Sequence, residues 1–257
     1  MSSNRLSLNP SKTEVIWFAS PRRQNSIDRL NIHVLDTNVS PVDTVRDLGL
    51  YLDSSLSFIP HINRVISACF YQLRQIKLAR RYLTFSSSKL LITSLIMPRL
   101  DYCNSVLYLL PKYQMQRLQA VLNASARLIF NRPFHCHITK LLVDLHWLSF
   151  PQRIEYKICV LVYKALHGLV PNYLSEICQE LSSISGTRSC LRSASHRGLL
   201  VPKYRSNFGM RSFQYSGPAL WNLLPGHIRA APSIDKFTSL LKTHLFRTSY
   251  PAEYTAN

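Results

Sequence analysis

Between Met1 and Asp53 the apolar residues come in short runs. Glu14–Ala19 (EVIWFA), Asn31–Leu35 (NIHVL) and Thr44–Leu52 are rich in Val, Ile and aromatics and are separated by Pro, Asn, Asp and Ser. This pattern predicts strands joined by turns in one small sheet. From Ile59 the period changes: Ile62, Val65, Ile66, Cys69, Leu73 and Ile76 follow i, i+3, i+4 spacing, and Met115, Leu118, Leu122 and Ile129 repeat it. The predicted helices are Pro60–Arg80, Ser86–Leu109 with a kink at Pro98, Lys112–Phe130, Ile138–Leu145, Pro151–His167 and Pro171–Leu181. Pro151 and Pro171 suit a first turn, where the missing N–H is not needed, and Gly168 is a natural stop after His167. Beyond Leu181 the pattern is mixed, with a short strand expected at Gly198–Val201 and helices near Arg211–Leu224 and Ser233–Phe246. The fold class is therefore α+β, predominantly α-helical. Turn-rich segments around Ser54–Pro60 and Leu181–Ser195 divide it into residues 1–55, 56–183 and 184–257.

Charge sharpens this division. The chain has 257 residues, 46% of them apolar, with 31 Lys plus Arg against 13 Asp plus Glu and a net charge of +18. Such a length suits one large domain or two, and the apolar content suffices for a core. Residues 1–50 are nearly neutral at +1, whereas residues 51–257 carry +17. Most cations have no acidic partner in the chain, so an external polyanion is expected, nucleic acid first and an anionic membrane surface second. The apolar stretches are interrupted well short of the roughly 18 residues of a membrane span, which gives no membrane partner. Met1–Pro10 has no apolar core of a secretory signal, so the six Cys read as reduced thiols and the location as intracellular, nuclear or cytoplasmic, not secreted.

The cations are placed regularly on two predicted helices. At 100° per residue Arg74, Lys77 and Arg81 fall within roughly 60° of one another, opposite much of the Ile62/Cys69/Ile76 stripe and with Tyr71 close by. Arg153, Lys157 and Lys164 share a side of the Pro151 helix, bordered by Tyr156 and Tyr163. Ordinary solvated helix faces look the same one at a time. Two of them in so basic a chain point to phosphate contact, with aromatics available for stacking on bases or sugars.

The inventory for catalysis is sparse. Two-metal polymerase or nuclease chemistry needs clustered carboxylates holding ions about 4 Å apart, and no two acidic residues here are adjacent. Asp43 and Asp47 fall in a strand and turn. There is no P-loop, GxGxxG, GxSxG or HExxH. His135 and His137 would project to one side of an extended segment around Cys136, but no second ligand pair completes a zinc site, which leaves a loop or capping role. Cys69 and Cys159 lie on apolar helical faces and read as core. No metal ligand set is assigned.

Several blocks resemble a known family. LNPSKTE (Leu8–Glu14) and VRDLGLYLDSSLSF (Val45–Phe58) resemble the stretch after the catalytic Asp-Asp strand in reverse transcriptases of non-long-terminal-repeat retrotransposons, the long interspersed elements of the jockey and chicken-repeat type. RLDYCNSVLYLLP (Arg99–Pro111), LQAVLNASARLIF (Leu118–Phe130), the block from Leu145 to Leu174 and that from Gly217 to Phe246 are similar to the thumb and C-terminal tail of the same group, in family order.

The resemblance implies a palm remnant with motifs D and E, a helical thumb-like region and a mixed C-terminal region. Lys12 takes the position of the motif D lysine that assists pyrophosphate departure. Leu48, Gly49 and Leu50 take the primer grip, where a strand glycine lets another backbone come close. The family's metal-binding aspartates and Phe/Tyr-Ala-Asp-Asp sequence lie upstream of motif D and are not in this sequence, so the Mg of the intact enzyme has no ligands here and no cofactor is expected. The implied function is that of a truncated fragment with residual RNA or DNA template–primer binding and no polymerase activity alone. A host-reused, non-enzymatic protein-interaction module is the alternative. A palm sheet cut after its central hairpin would expose a strand edge and an apolar face near Val15–Phe18, which favours self-association.

Overall fold

A computed structural model of the chain describes residues 9–20, 22–27, 30–35, 37–181 and 198–251. The fold is α+β and predominantly helical, as the hydrophobic pattern predicts. The chain divides into two compact units, residues 1–68 and 69–257, and the division falls inside the first long helix, α1 (Ile59–Ala79).

In the first unit β1 (Ile32–Val34) pairs antiparallel with β2 (Thr37–Val39), and β3 (Thr44–Asp47) pairs antiparallel with β4 (Leu50–Asp53). Each pair is its own two-stranded sheet, so the single sheet expected from the sequence is two hairpins. The run Thr44–Leu52 is not one strand. Leu48 and Gly49 both take positive φ, 45° and 87°, and turn the chain so that Asp47 faces Leu50. Two central residues with φ above zero match the right-handed twist of a hairpin. Gly49 is thus required by the turn rather than by a close backbone approach within a strand. Glu14–Ala19 does not form a strand either: Val15 makes only an isolated parallel bridge to Pro41, with the Val42 amide donating to the Val15 carbonyl at 2.8 Å.

Asp53 fastens the turn between β4 and α1. Its carboxylate accepts hydrogen bonds from the Ser55 hydroxyl at 2.6 Å and from the amides of Ser57 and Phe58 at 3.0 and 2.7 Å. Burial pushes the carboxyl up, but these bonds outweigh it and hold the pKa below its ordinary value of 3.8. A depressed carboxylate stabilises the fold above its unfolded pKa, and that stabilisation is lost as pH falls through the folded value. Asp53→Asn is expected to cost about 1–3 kcal/mol at neutral pH and to flatten the acid limb below about pH 4. Thermal melts of both proteins across that range check this, and equal melts at pH 7 would contradict it.

The second unit is built around α6 (Phe150–Leu166). It packs against α4 (Lys112–Ile129), α9 (Phe213–Leu223), α11 (Ile234–Ser249) and the 3-10 turn Asn104–Leu107. Phe150, Ile154, Ile158, Val162 and Tyr163 are its buried stripe. Gly217 of α9 sits against it: a Cβ there would lie 3.0 Å from Val162 Cγ2, so glycine sets the spacing of the two helices. Gly168 (φ 66°) follows the C-cap His167 and ends α6.

Two helix expectations and one strand expectation change. The segment Ser86–Leu109 is not one kinked helix but α2 (Phe85–Leu95) and α3 (Met97–Asp101), broken at Ile96. Pro98 disfavours helical backbone before it and lacks the N–H that would continue the ladder, so the break precedes the proline. The Pro171–Leu181 helix shrinks to the single turn α7 (Asn172–Ser175). The strand expected at Gly198–Val201 is an isolated bridge between Glu180 and Leu199. Asn222 covers the other edge of Leu199: its Oδ1 accepts from the Leu199 amide and its Nδ2 donates to the Leu199 carbonyl, both at 2.8 Å. From residue 182 the expected boundary segment lies outside the described residues. The other elements are α5 (Ile138–Asp144), α8 (Asn207–Met210) and α10 (Gly226–Arg229).

Arg80 joins the end of α1 to the end of α4. Its guanidinium donates to the carbonyls of Leu128 and Ile129, each at 2.9 Å, and to that of Leu83 at 2.7 Å. The last carbonyls of a helix have no internal donors, and a cation there also opposes the negative end of the dipole. Arg80→Ala should cost about 2 kcal/mol, and Arg80→Lys, which lacks the planar fork, should recover less than half of it. Urea unfolding of the two variants measures this; a fully restoring lysine would show that charge alone matters. Among the described residues no helix is long and apolar enough to cross a membrane.

Candidate nucleic-acid interface

Cys69, Leu73 and Ile76 of α1 are buried, and the helix turns Tyr71, Arg74 and Lys77 outward on its other side. Arg81 is also exposed but stands beyond the helix end, in the 3-10 turn Arg80–Tyr82, so it does not continue the α-helical register assumed from spacing. Its guanidinium lies over the Tyr82 ring, 4.7 Å from the centroid. Around these cations Phe70, Tyr71 (59% exposed), Leu78 (70%) and Tyr82 (75%) are open to solvent. A folded surface seldom leaves so many large rings and chains uncovered side by side with cations, because each forgoes burial. Phosphates are matched by the guanidinium and ammonium groups, and unstacked bases by the rings. Phe70, Leu78 and Tyr82 were not among the residues singled out from sequence. Phe70 and Leu78 are apolar residues off the i, i+3, i+4 stripe, and that misfit is the signal for them.

The second basic face does not survive as a row of three free cations. Arg153 donates from Nε to Asp101 Oδ1 at 2.8 Å and from Nη2 to Asp101 Oδ2, a two-pronged pair that commits it to the protein. Tyr163 is buried, its hydroxyl donating to the Ala231 carbonyl at 3.0 Å, and cannot border a nucleic-acid surface. Lys157 is exposed and Lys164 half-buried. Lys157 gains a neighbour that spacing could not show: it and Lys242 of α11 line one cavity.

Lys12 ends the exposed 3-10 turn Pro10–Lys12, where Asn9 closes the loop by accepting from the Ser11 amide on Oδ1 at 3.1 Å and from the Lys12 amide on its carbonyl at 3.1 Å. Leu48 and Gly49 form the apex of the β3–β4 hairpin, with Leu48 85% exposed, and Leu50 is half-buried at the start of β4. The flank of this hairpin is basic: the Arg64 guanidinium lies 4.2 Å from the Tyr51 ring centroid and that of Arg46 5.8 Å from it. Lys12 and the hairpin belong to the first unit, and the α1 cations from Arg74 onward to the second.

Three of the described thiols, Cys69, Cys159 and Cys178, are core groups. Cys69, Cys103, Cys136, Cys159 and Cys178 are free, and burial pushes Cys69 and Cys178 up to about 11 and Cys159 higher still. Such thiols are protonated near neutrality and are poor nucleophiles. His135 and Cys136 lie in the loop before α5, and His137 holds the N-cap position of that helix without a side-chain capping bond. Among the described residues no three His, Cys, Asp or Glu side chains come together as metal ligands. Comparison with protein-family models, with curated proteins and with solved structures finds no match in any of the three.

Proposed function

We propose that the chain is the C-terminal part of a non-long-terminal-repeat retrotransposon reverse transcriptase, which binds RNA or DNA through the exposed face of α1 and does not polymerise alone. The observation that carries the reading is the exposure of Tyr71, Arg74 and Lys77 on the outer side of α1, followed at its end by exposed Arg81 and Tyr82, in a chain whose residues 51–257 carry +17. Within a complete enzyme Lys12 would serve motif D and the Leu48–Leu50 hairpin the primer grip. An apical leucine that exposes most of its surface suits a part whose contact is made with another molecule. The acidic residues of this chain do not fit the family's metal pair, since no two are adjacent, and no step is derived through Mg. The site of action is intracellular, in nucleus or cytoplasm. Exposed Trp17 and Phe18 and the open edges of the two hairpins support self-association as a secondary property.

The test combines two measurements on the full chain. An RNA–DNA duplex should bind at about 50 mM salt and weaken by about 40-fold or more by 200 mM, since at least three phosphate contacts are lost together. With template–primer, dNTPs and Mg²⁺ no nucleotide should be incorporated. Absence of binding at low salt would refute the reading, and incorporation would reveal a site not identified above. A specific feature favours a second reading: Phe70 and Leu78 add an apolar component to the face, which would suit a protein partner in a host-reused module. Salt-insensitive capture by that face would support it.

A further inference from the structure

The pairing of Arg153 with Asp101 leaves a cavity of about 370 Å³ among α2, α3, α6 and α11. We propose that this cavity binds a nucleoside monophosphate, free or as one residue of a single strand.

Three features of the wall select that chemistry. Asp101 is neutralised by Arg153, so Lys157 and Lys242, both exposed, bring two uncompensated positive charges to the rim. Two cations at one opening match a phosphate monoester, which carries close to two negative charges near neutrality, better than a single carboxylate. Asn104 supplies the second feature. It is 2% exposed and stands on the cavity wall; its Nδ2 donates to Asp101 Oδ1 at 3.3 Å, while among the described residues none donates to its Oδ1. A buried acceptor without a donor is costly and rare, so the ligand should bring an N–H or O–H. Trp147 and Tyr156 add aromatic wall, beside the apolar Met97 and Leu148. The cavity falls within the size range of small-ligand sites. Inorganic phosphate would answer the lysines but leave Asn104 and the apolar wall unused. A nucleoside monophosphate answers all three, with phosphate at the lysines, a base amine or ribose hydroxyl toward Asn104, and the base against the apolar side. The inference stands on this lining and does not require that the α1 face touch nucleic acid.

Calorimetric titration of the full chain with adenosine monophosphate tests it. One saturable site is expected, with adenosine and inorganic phosphate each binding about tenfold or more weakly, as each keeps only part of the contacts. The variant Lys157→Ala/Lys242→Ala removes two exposed side chains and should lose about tenfold or more in affinity for adenosine monophosphate. Asn104→Ala should weaken adenosine monophosphate more than inorganic phosphate. The variant Arg74→Ala/Lys77→Ala/Arg81→Ala should keep adenosine monophosphate binding even where it loses duplex, which separates this site from the α1 face. A 5′-phosphorylated single-stranded tetranucleotide that competes with adenosine monophosphate assigns the pocket to a strand, and one that does not compete assigns it to the free nucleotide; either supports the site. No saturable adenosine monophosphate binding, or unchanged affinity in the double lysine variant, would overturn the proposal.

Discussion

Phe237→Ala should lower the stability of the second unit by about 3–5 kcal/mol, the upper range for truncating a single core side chain. Phe237 is fully buried on α11, stacked on Tyr163 of α6 with ring centroids 4.4 Å apart and an interplanar angle of 24°, and 5.7 Å from the ring of Trp221 on α9. Truncation removes its apolar contacts and leaves a void between three helices whose spacing is fixed. The Gly217–Val162 approach leaves α9 no room to move inward. Tyr163 is also stacked on His167, at 4.0 Å, so its ring cannot swing to fill the gap without losing that contact and the hydrogen bond to Ala231. Tyr163→Phe keeps the ring stack and loses only the hydroxyl, so about 1–3 kcal/mol is expected there, from the unanswered Ala231 carbonyl. Denaturant unfolding followed by circular dichroism measures both. A cost near 1 kcal/mol for Phe237→Ala would mean that the three helices are not held by this cluster.

The parts of the fold that were legible in the sequence are those whose signal is local and long. The stripes of α1 and α4 repeat over several turns, and their ends fall within a residue or so of the predicted ones. The parts that were hidden depend on a partner far along the chain or on a residue in an unusual role. The β3–β4 hairpin turns on Leu48, a residue that seldom takes positive φ, so the Asn-Gly or Asp-Gly mark of such turns was missing. Asn222 acts on Leu199 across 23 residues, and Arg80 on Leu128 across 48. The candidate site divides the same way. Arg74, Lys77 and Tyr71 were legible because residues off the buried stripe of a long helix must face elsewhere. Arg153 was not, because its fate rests with Asp101, 52 residues upstream. Lys242 joined Lys157 only once α11 was packed on α6.

Binding through the α1 face should lose about two orders of magnitude near 0.1 M salt when Arg74, Lys77 and Arg81 are all replaced by Ala, if each neutralises a phosphate. All three are exposed, so the substitutions remove no core contact and the melt should stay within about 1 kcal/mol of the parent. Replacing Lys140, Lys203 and Lys236, also exposed, removes the same net charge from other elements and should have a much smaller effect. The slope of log affinity against log salt is the deciding quantity, because each displaced phosphate counterion contributes about −0.9 on duplex and about −0.7 on a single strand. Measured by fluorescence anisotropy on a labelled RNA–DNA duplex, the α1 triple variant should show a slope reduced in magnitude by about two to three units, while the control triple variant stays near the parent. Equal reductions in the two variants would reduce the attraction to diffuse net charge and contradict a dedicated nucleic-acid face on α1.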